Sequence, residues 1–455
     1  MNGIRFVAEL VVVGFASVAA AREFHVAPQG AVNSPGTPDE PLQSLQAAID
    51  LAQAGDTVYL HGGHYRLQQP VQVTRSGSAG RWLTLQAIEN EIPVLDAGAL
   101  TNDAVPGFTE LGAFNIKGAR YVRVSGVTVS NSHNGGFMLH GPGTDHIDLL
   151  GCRSHRSYNS GIGVWYADHV NVWNCEVTGA NDQEMRTPRQ RLEHEAPHEA
   201  ISLAGARFFD VASNDVHHCV KEGIDCKEVS AHGRVHHNSV HDMPRQGLYA
   251  DAWFGLLEDV EFDSNIVTRC EWGGAISVEG AGARMENVRF HHNTIFNNRA
   301  SGILFGVWGT NGPRHNIAVF NNTLVGNGSK GHWAGSTGAI DIRSTNLFHV
   351  RIFNNICSRN YAFAIATFAP PGVADAELKA LDVVIENNWL EAGPAVDEGG
   401  GVFNRTWPCD GRRHFSGDPG FVDPAHGNFR LRENSPARGK GVVLPGIGGG
   451  KDPGA

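Results

Sequence analysis

Residues 211–216 VASNDV, 235–240 VHHNSV, 262–267 FDSNIV, 290–295 FHHNTI, 319–324 VFNNTL, 352–357 IFNNIC and 385–390 IENNWL repeat one context around an asparagine. Asn214, Asn238, Asn265, Asn293, Asn322, Asn355 and Asn388 follow one another at 24, 27, 28, 29, 33 and 33 residues. A strand-and-turn coil of that length, repeated many times, marks a parallel β-helix, in which equivalent asparagine side chains stack into a hydrogen-bonded ladder inside one turn.

A second column supports the same architecture. GFMLH (136–140), GIGVW (161–165), AISLA (200–204), GIDCK (223–227), GLYAD (247–251), AISVE (275–279), GILFG (302–306), AIDIR (339–343) and AIATF (364–368) each begin with a small residue and then alternate. Their second and fourth positions are nearly all apolar, so a period of two turns them inward and turns the third and fifth outward. Most columns lie 23 to 28 residues apart, whereas Ile162 to Ile201 spans 39 and Ile303 to Ile340 spans 37, so a long loop leaves each of those two coils. Upstream, 42–54 LQSLQAAIDLAQA places Leu42, Leu45, Ile49 and Ala52 on one helical stripe before Gly55, which suits a helix plugging the open end of the stack. The expected organisation is a signal peptide at 1–21, an amino-terminal cap at 22–66, an all-β parallel β-helix at 67–405, and a carboxyl-terminal tail at 406–455 packed on it, with 446–455 loose.

Composition sets the setting. A chain of 455 residues would ordinarily divide into about three domains, unless one repeat architecture takes it all. A net charge of −11, from 36 basic and 47 acidic residues, argues against nucleic acid or an anionic membrane as partner. The start MNGIRFVAELVVVGFASVAAAREF has Arg5, an apolar run from Leu10 to Val18, and small residues at Ala19 and Ala21, the pattern of a secretory signal cut at Ala21/Arg22. The run is shorter than a bilayer span, so export to the periplasm or the medium is expected, without a membrane span. Seven cysteines in an exported chain permit disulfides. Cys152 and Cys175, in equivalent contexts on adjacent coils, are the expected pair, while Cys226 points into the core.

FHVAPQGAVNSPGTPDEPLQSLQAAIDLAQAGDTVYLHGGHYR near the start, the asparagine ladder, and GDPGFVDPAHGNFRL near the end resemble secreted right-handed β-helix proteins that act on polysaccharides. That resemblance implies the fold and a polysaccharide or oligosaccharide substrate. It leaves the activity open among lyases, epimerases and glycoside hydrolases.

On the outward positions, chemistry is confined to neighbouring coils: Asp225 and Lys227, Tyr249 and Asp251, Ser277 and Glu279. In this alignment Lys227, Asp251 and Glu279 form one vertical file at about 4.8 Å per coil. Asp251 and Glu279 would then stand about 5 Å apart, the spacing of a retaining glycoside hydrolase, with Asp251 as nucleophile and Glu279 as acid/base. LYADAW followed by ISVEG also resembles a β-helical family of retaining xylosidases, which implies the same two roles. Lys227 beside Asp251 is expected to lower that carboxyl's pKa, with Glu279 pushed toward its protonated form and Asp225 orienting. Glu199, Glu222, Tyr249, Trp253, Trp165, Trp308, Arg343 and His140 are the expected substrate contacts, the aromatics as stacking platforms. No cofactor is expected on this reading.

Two alternatives stay open. A uronate lyase would use Lys227 as base, with Asp225, Asp251 and Glu279 holding calcium; a lysine among so many acids, however, keeps a high pKa. A carbohydrate-binding β-helix without activity is the third. GIDCKE also resembles the GIDPHD motif of alginate epimerases, but Lys227 stands where their histidine would. The loop 180–198 ANDQEMRTPRQRLEHEAPH could close over the groove with Arg186, Arg189 and Arg191. Its HEAPH spells a zinc-protease pattern, but Pro197 breaks the helix which that chemistry needs.

Overall fold

The computed structural model describes residues 20–100, 112–185, 198–331, 335–368, 382–397, 401–405 and 410–454. The signal run up to Ala19, Arg186, Arg189, Arg191 and Pro197 lie outside the described residues. Three long parallel sheets of 16, 12 and 13 strands run the length of the molecule, each coil contributing a strand to each sheet in turn. This is a parallel β-helix, and the right-handed crossover rule for parallel strands gives it its hand. Inside lies one apolar column system that extends from Phe24 to Leu390.

The ladder asparagines hold successive coils in step. Asn238 is typical: its Oδ1 accepts from the Asn214 backbone N–H and Nδ2, both at 2.9 Å, and its Nδ2 donates to the Val211 carbonyl and to Asn265 Oδ1, both at 2.9 Å. Every donor and acceptor of that buried amide is therefore used. The pattern continues through Asn265, Asn293, Asn322, Asn355 and Asn388. A second buried file, Asn298, Asn327 and Asn360, repeats it at another turn and went unrecognised in the sequence.

The helix spans Leu45–Leu51, is capped by Ser44, and buries Leu45, Ala48 and Ile49 against the first strands. At the other end the tail is docked throughout its described length, contrary to the expectation of a loose 446–455. Asn321, Asn354 and Asn387 donate to the carbonyls of Asp452, Val442 and Lys440 at 2.7, 2.7 and 2.6 Å. Glycines in the tail permit that approach: a Cβ on Gly449 would lie 3.0 Å from Phe353 Cε2 and 3.3 Å from Asn354 Nδ2. Cys152 and Cys175 are buried free thiols on adjacent coils, not a disulfide. Each Sγ donates to main-chain carbonyls, Val124 for Cys152 and Leu149 for Cys175, and behaves as a small core hydrophobe.

The 12-stranded sheet carries the outward chemistry. Its register agrees with the sequence alignment from Phe137↔Ile162 through Ile224↔Leu248, and again at Ile303↔Ile340 and Ile340↔Ile365. One coil differs. Leu248 pairs with Gly274 and Gly274 with Ile303, so the strand Trp272–Val278 is displaced by two residues from its expected place. The inward position there is a glycine, backed by the Phe290 ring, whose Cε1 would lie 3.1 Å from a Cβ on Gly274. An apolar pattern cannot reveal a position whose apolar group comes from another strand. A slip of two keeps Ile276 and Val278 inside, but moves Glu279 roughly 7 Å along the strand.

Asn265→Ala should destabilise the protein by about 3 kcal/mol in a denaturant titration, because Asn238 Nδ2, the Val235 carbonyl and the neighbouring ladder amides lose partners in the interior. A loss below about 1 kcal/mol would show that the ladder is not what fixes the coils.

Candidate active site

On the outer face of the 12-stranded sheet lies a groove of about 780 Å³. Its floor is set by register: Asp225 pairs with Tyr249, Lys227 with Asp251, and Asp251 with Ser277. Glu199, Glu222, Gln246 and Trp272 stand one residue ahead of the small residues Ala200, Gly223, Gly247 and Gly273, along one edge. Those residues are small because the backbone turns tightly there: a Cβ on Gly223 would lie 2.4 Å from the Gly247 carbonyl oxygen. Trp253, Glu279, Trp308 and Gly309 close the other side.

Nine of the twelve expected residues line this groove: Asp225, Lys227, Asp251, Glu279, Glu199, Glu222, Tyr249, Trp253 and Trp308. Three do not. Trp165 is buried with Met138 and Ala204, its Nε1 donating to Ser202 Oγ at 3.3 Å and its ring 4.3 Å from that of His198. His140 is buried on the next coil toward the amino terminus, paired with Trp165. Arg343 lies past the groove's far end, where Nε donates to Asp341 at 2.9 Å and the guanidinium rests on Phe368 at 4.4 Å. Lys221, Arg245, Gln246, Glu271 and Trp272 are lining residues that the sequence reading did not single out. The place just before each small residue, which Glu199, Glu222, Gln246 and Trp272 share, is the signal in the sequence that finds this edge.

Because of the displaced coil, Glu279 is not the residue beside Asp251; Ser277 is. Glu279 lies diagonally, its N–H bonded to the Ala252 carbonyl at 2.9 Å, with the two Cα atoms about 8 Å apart by strand geometry. The direct-neighbour register from which a spacing of about 5 Å was argued, and with it the register argument for retention, is therefore removed. The Glu279 carboxylate reaches back into the groove, where Oε1 accepts from the Tyr249 hydroxyl and, at 3.1 Å, from Ser277 Oγ. Trp253 Nε1 donates to Asp251 Oδ2 at 2.6 Å.

Lys227 also differs from expectation. Its ammonium bonds Glu199 Oε1 at 3.1 Å, so Glu199 is its partner and Asp251 only its neighbour. Burial opposes charge on both and is the largest single influence, but the surrounding charges together outweigh it: Lys227, His198 and Lys221, with the Ser202 hydrogen bond, hold Glu199 well below its ordinary range, and Glu199, Asp225, Asp251 and Glu228 hold Lys227 well above its own. The remaining acids take the consequence. Burial, then Glu199 and Asp251, push the Asp225 carboxyl up, and Lys227 only partly offsets them. Burial, then Glu279, push Asp251 up against Lys227 and the Trp253 hydrogen bond. The sequence reading expected the opposite shift for Asp251, from a lysine whose charge is in fact engaged by Glu199. Burial, then Asp251 and Glu279, also keep the Tyr249 phenol protonated, as a donor must be.

Beneath the groove lies the fully buried Arg314, whose guanidinium ties Gly306, Asn311, Gly312 and Ser344 together and so fixes the loop bearing Trp308. Burial lowers it to about 10, against the fields of Tyr249, Glu279 and Asp251, so it remains a cation at neutral pH.

Does the groove suit a calcium ion? Oxygen donors are plentiful, and Asp225 Oδ1 and Asp251 Oδ1 are buried without a hydrogen-bond partner. Their arrangement does not fit. Among the described residues, sets of three His, Cys, Asp or Glu ligand atoms within 4.8 Å of one another occur at Asp145/His146/His169, His218/His241/Asp242 and Glu261/Asp263/His291, none of them in the groove. Of the proposed calcium set, Glu279 is engaged by two hydroxyls.

Residues 24–196 match the Pel9A-like right-handed β-helix region and residues 112–287 the right-handed β-helix region. Pectate lyase PEL9 of Emericella nidulans is 32% identical over 156 residues, 28% of this chain and 38% of that protein. The uncharacterized protein YwoF of Bacillus subtilis is 28% identical over 107 residues, 24% and 22% of the two chains. The chain thus spans less than two-fifths of the length of either relative. The crystal structure of pectate lyase Pel9A superimposes with a TM-score of 0.54 at 15% identity, covering 96% of both chains, and so shares the fold. The chain is a right-handed parallel β-helix that resembles carbohydrate-active β-helix enzymes.

The raised Asp225 carboxyl sets a pH dependence. Folded Asp225 holds its proton more tightly than the unfolded chain does, so its contribution makes stability fall as pH rises above the ordinary aspartate value of about 4. Asp225→Asn removes that fall. Its denaturation midpoint relative to the unsubstituted protein should therefore climb between acid and neutral pH; a flat or declining difference contradicts the assignment.

Proposed function

We propose that this groove cleaves glycosidic bonds in a polysaccharide or oligosaccharide by acid-assisted hydrolysis, with Asp251 as the proton donor and Glu279 as the opposing carboxylate. The observation that carries the reading is the division of two neighbouring carboxyls by their surroundings. Asp251 is buried and pushed toward its protonated form by burial and by Glu279, while the Glu279 carboxyl accepts from the hydroxyls of Tyr249 and Ser277. These roles exchange those expected from sequence.

The indole of Trp253 holds Asp251 by Oδ2, which leaves Oδ1, without a protein partner, for the glycosidic oxygen. As the bond from the anomeric carbon to that oxygen breaks, the Asp251 proton passes to the departing oxygen. A water hydroxyl ends on the anomeric carbon and the water's second proton is taken up by a carboxylate, Glu279 acting directly as nucleophile or as base toward the water. Trp253, Trp272 and Trp308 offer apolar faces for sugar rings. Asp225 lines the floor beside Lys227, and Glu199 and Glu222 supply acceptors for sugar hydroxyls at the edge. The amino-terminal apolar run supports action outside the cytoplasm, in the periplasm or the medium; among the described residues no helix is long and apolar enough to cross a membrane.

A second reading, β-elimination from a uronate polymer with Lys227 as base, draws support from the likeness to pectate lyase PEL9. The lysine's charge state weighs against it, since Glu199 and the neighbouring acids keep the amine protonated.

A panel of neutral and acidic polysaccharides separates the two. Hydrolysis should release reducing ends without ultraviolet-absorbing product, unaffected by chelator, and Asp251→Asn should slow it by at least about 100-fold. An absorbing, unsaturated product whose formation survives Asp251→Asn and stops in Lys227→Ala would replace hydrolysis with elimination.

A further inference from the structure

Lys227 is almost enclosed by acids. Glu199 is 3.1 Å from its ammonium; Asp251 is its register partner on the next coil; Asp225 lies two residues back on the same face of the same strand. All three carboxyls are buried, at 5, 5 and 1% exposure, and Asp225 and Asp251 each keep one oxygen with no hydrogen-bond partner. Buried carboxyls grouped on neighbouring strands are what a hard divalent cation selects, because such ions take oxygen ligands and repay their desolvation. Here an ammonium stands among them, and among the described residues no three His, Cys, Asp or Glu ligand atoms in the groove come within 4.8 Å of one another.

We infer that Lys227 is a resident counter-cation standing where a divalent ion would otherwise sit, so that the native groove has no divalent site and removing the ammonium creates one. A single positive charge cannot balance three carboxylates. In the native groove the ammonium pairs with Glu199 and leaves Asp225 Oδ1 and Asp251 Oδ1 without a hydrogen-bond partner. Once the ammonium is gone, a divalent ion can balance Glu199 and one further carboxylate. Lys227 is in this sense a positioning residue, whichever bond the groove cleaves. The inference is therefore independent of the hydrolytic reading, because its readout is ion binding in a variant.

The test is calorimetric titration of calcium chloride into the whole chain and into Lys227→Met, after chelator treatment and with circular dichroism to confirm folding. Lys227→Met should bind one calcium ion with a Kd on the order of 10⁻⁴ to 10⁻³ M, at least about tenfold tighter than the unsubstituted chain. Adding Asp225→Asn should abolish the gain. Lys227→Gln, which can still hydrogen-bond Glu199, is titrated in parallel in case the methionine variant does not fold. Calcium binding by the unsubstituted chain at equal affinity, no binding by either folded variant, or binding indifferent to Asp225→Asn would each overturn the inference.

Discussion

The hydrogen bond from one ladder asparagine to the next fixes everything outside it. An asparagine amide whose four hydrogen-bonding sites are all used inside a dry turn permits only one offset between coils, because any other leaves buried polar atoms unpaired. The outward side chains inherit that offset. Lys227 lies beneath Asp251, and Asp225 beneath Tyr249, because Asn214, Asn238 and Asn265 are in step on another face of the same coils.

The rigid scaffold explains how so many charges can be crowded together. In a mobile loop, Glu199, Asp225, Lys227 and Asp251 would separate into water. Fixed on adjacent strands of one sheet and buried, they must settle their charge among themselves: one ion pair and two carboxyls driven toward protonation. An aspartic acid pushed toward its protonated form is what acid-assisted bond cleavage requires. The same burial is costly to the fold, as is usual for groups retained for chemistry.

Much of this could be read in the sequence, and the limits have identifiable physical causes. The ladder and the alternating columns identified the fold, and the outward positions led to five of the groove's residues, Asp225, Lys227, Tyr249, Asp251 and Glu279, because a period of two separates core from surface without ambiguity. The step between coils was less secure: at Gly274 the apolar group is supplied by Phe290 from another strand, so the alignment slipped by two and Glu279 was placed beside Asp251. The electrostatics were misjudged for a related reason. Adjacency in a file shows which residues are near, not which way a long side chain leans, and Lys227 leans toward Glu199. The cysteines showed the reverse: their contexts matched, but adjacent core positions suit two thiols as well as one bridge.

The most direct measurement compares the two carboxyl variants on substrates that differ only in the leaving group. A dinitrophenyl glycoside of the sugar that the groove accepts departs without a proton, whereas the polymer's own glycosidic oxygen needs one. If Asp251 is the acid, Asp251→Asn should lose at least about 100-fold in kcat/KM on the polymer yet stay within about tenfold on the activated glycoside, while Glu279→Gln fails on both. The opposite pattern, with Glu279→Gln spared on the activated glycoside and Asp251→Asn inactive on both, would contradict the assignment and return the nucleophile's role to Asp251.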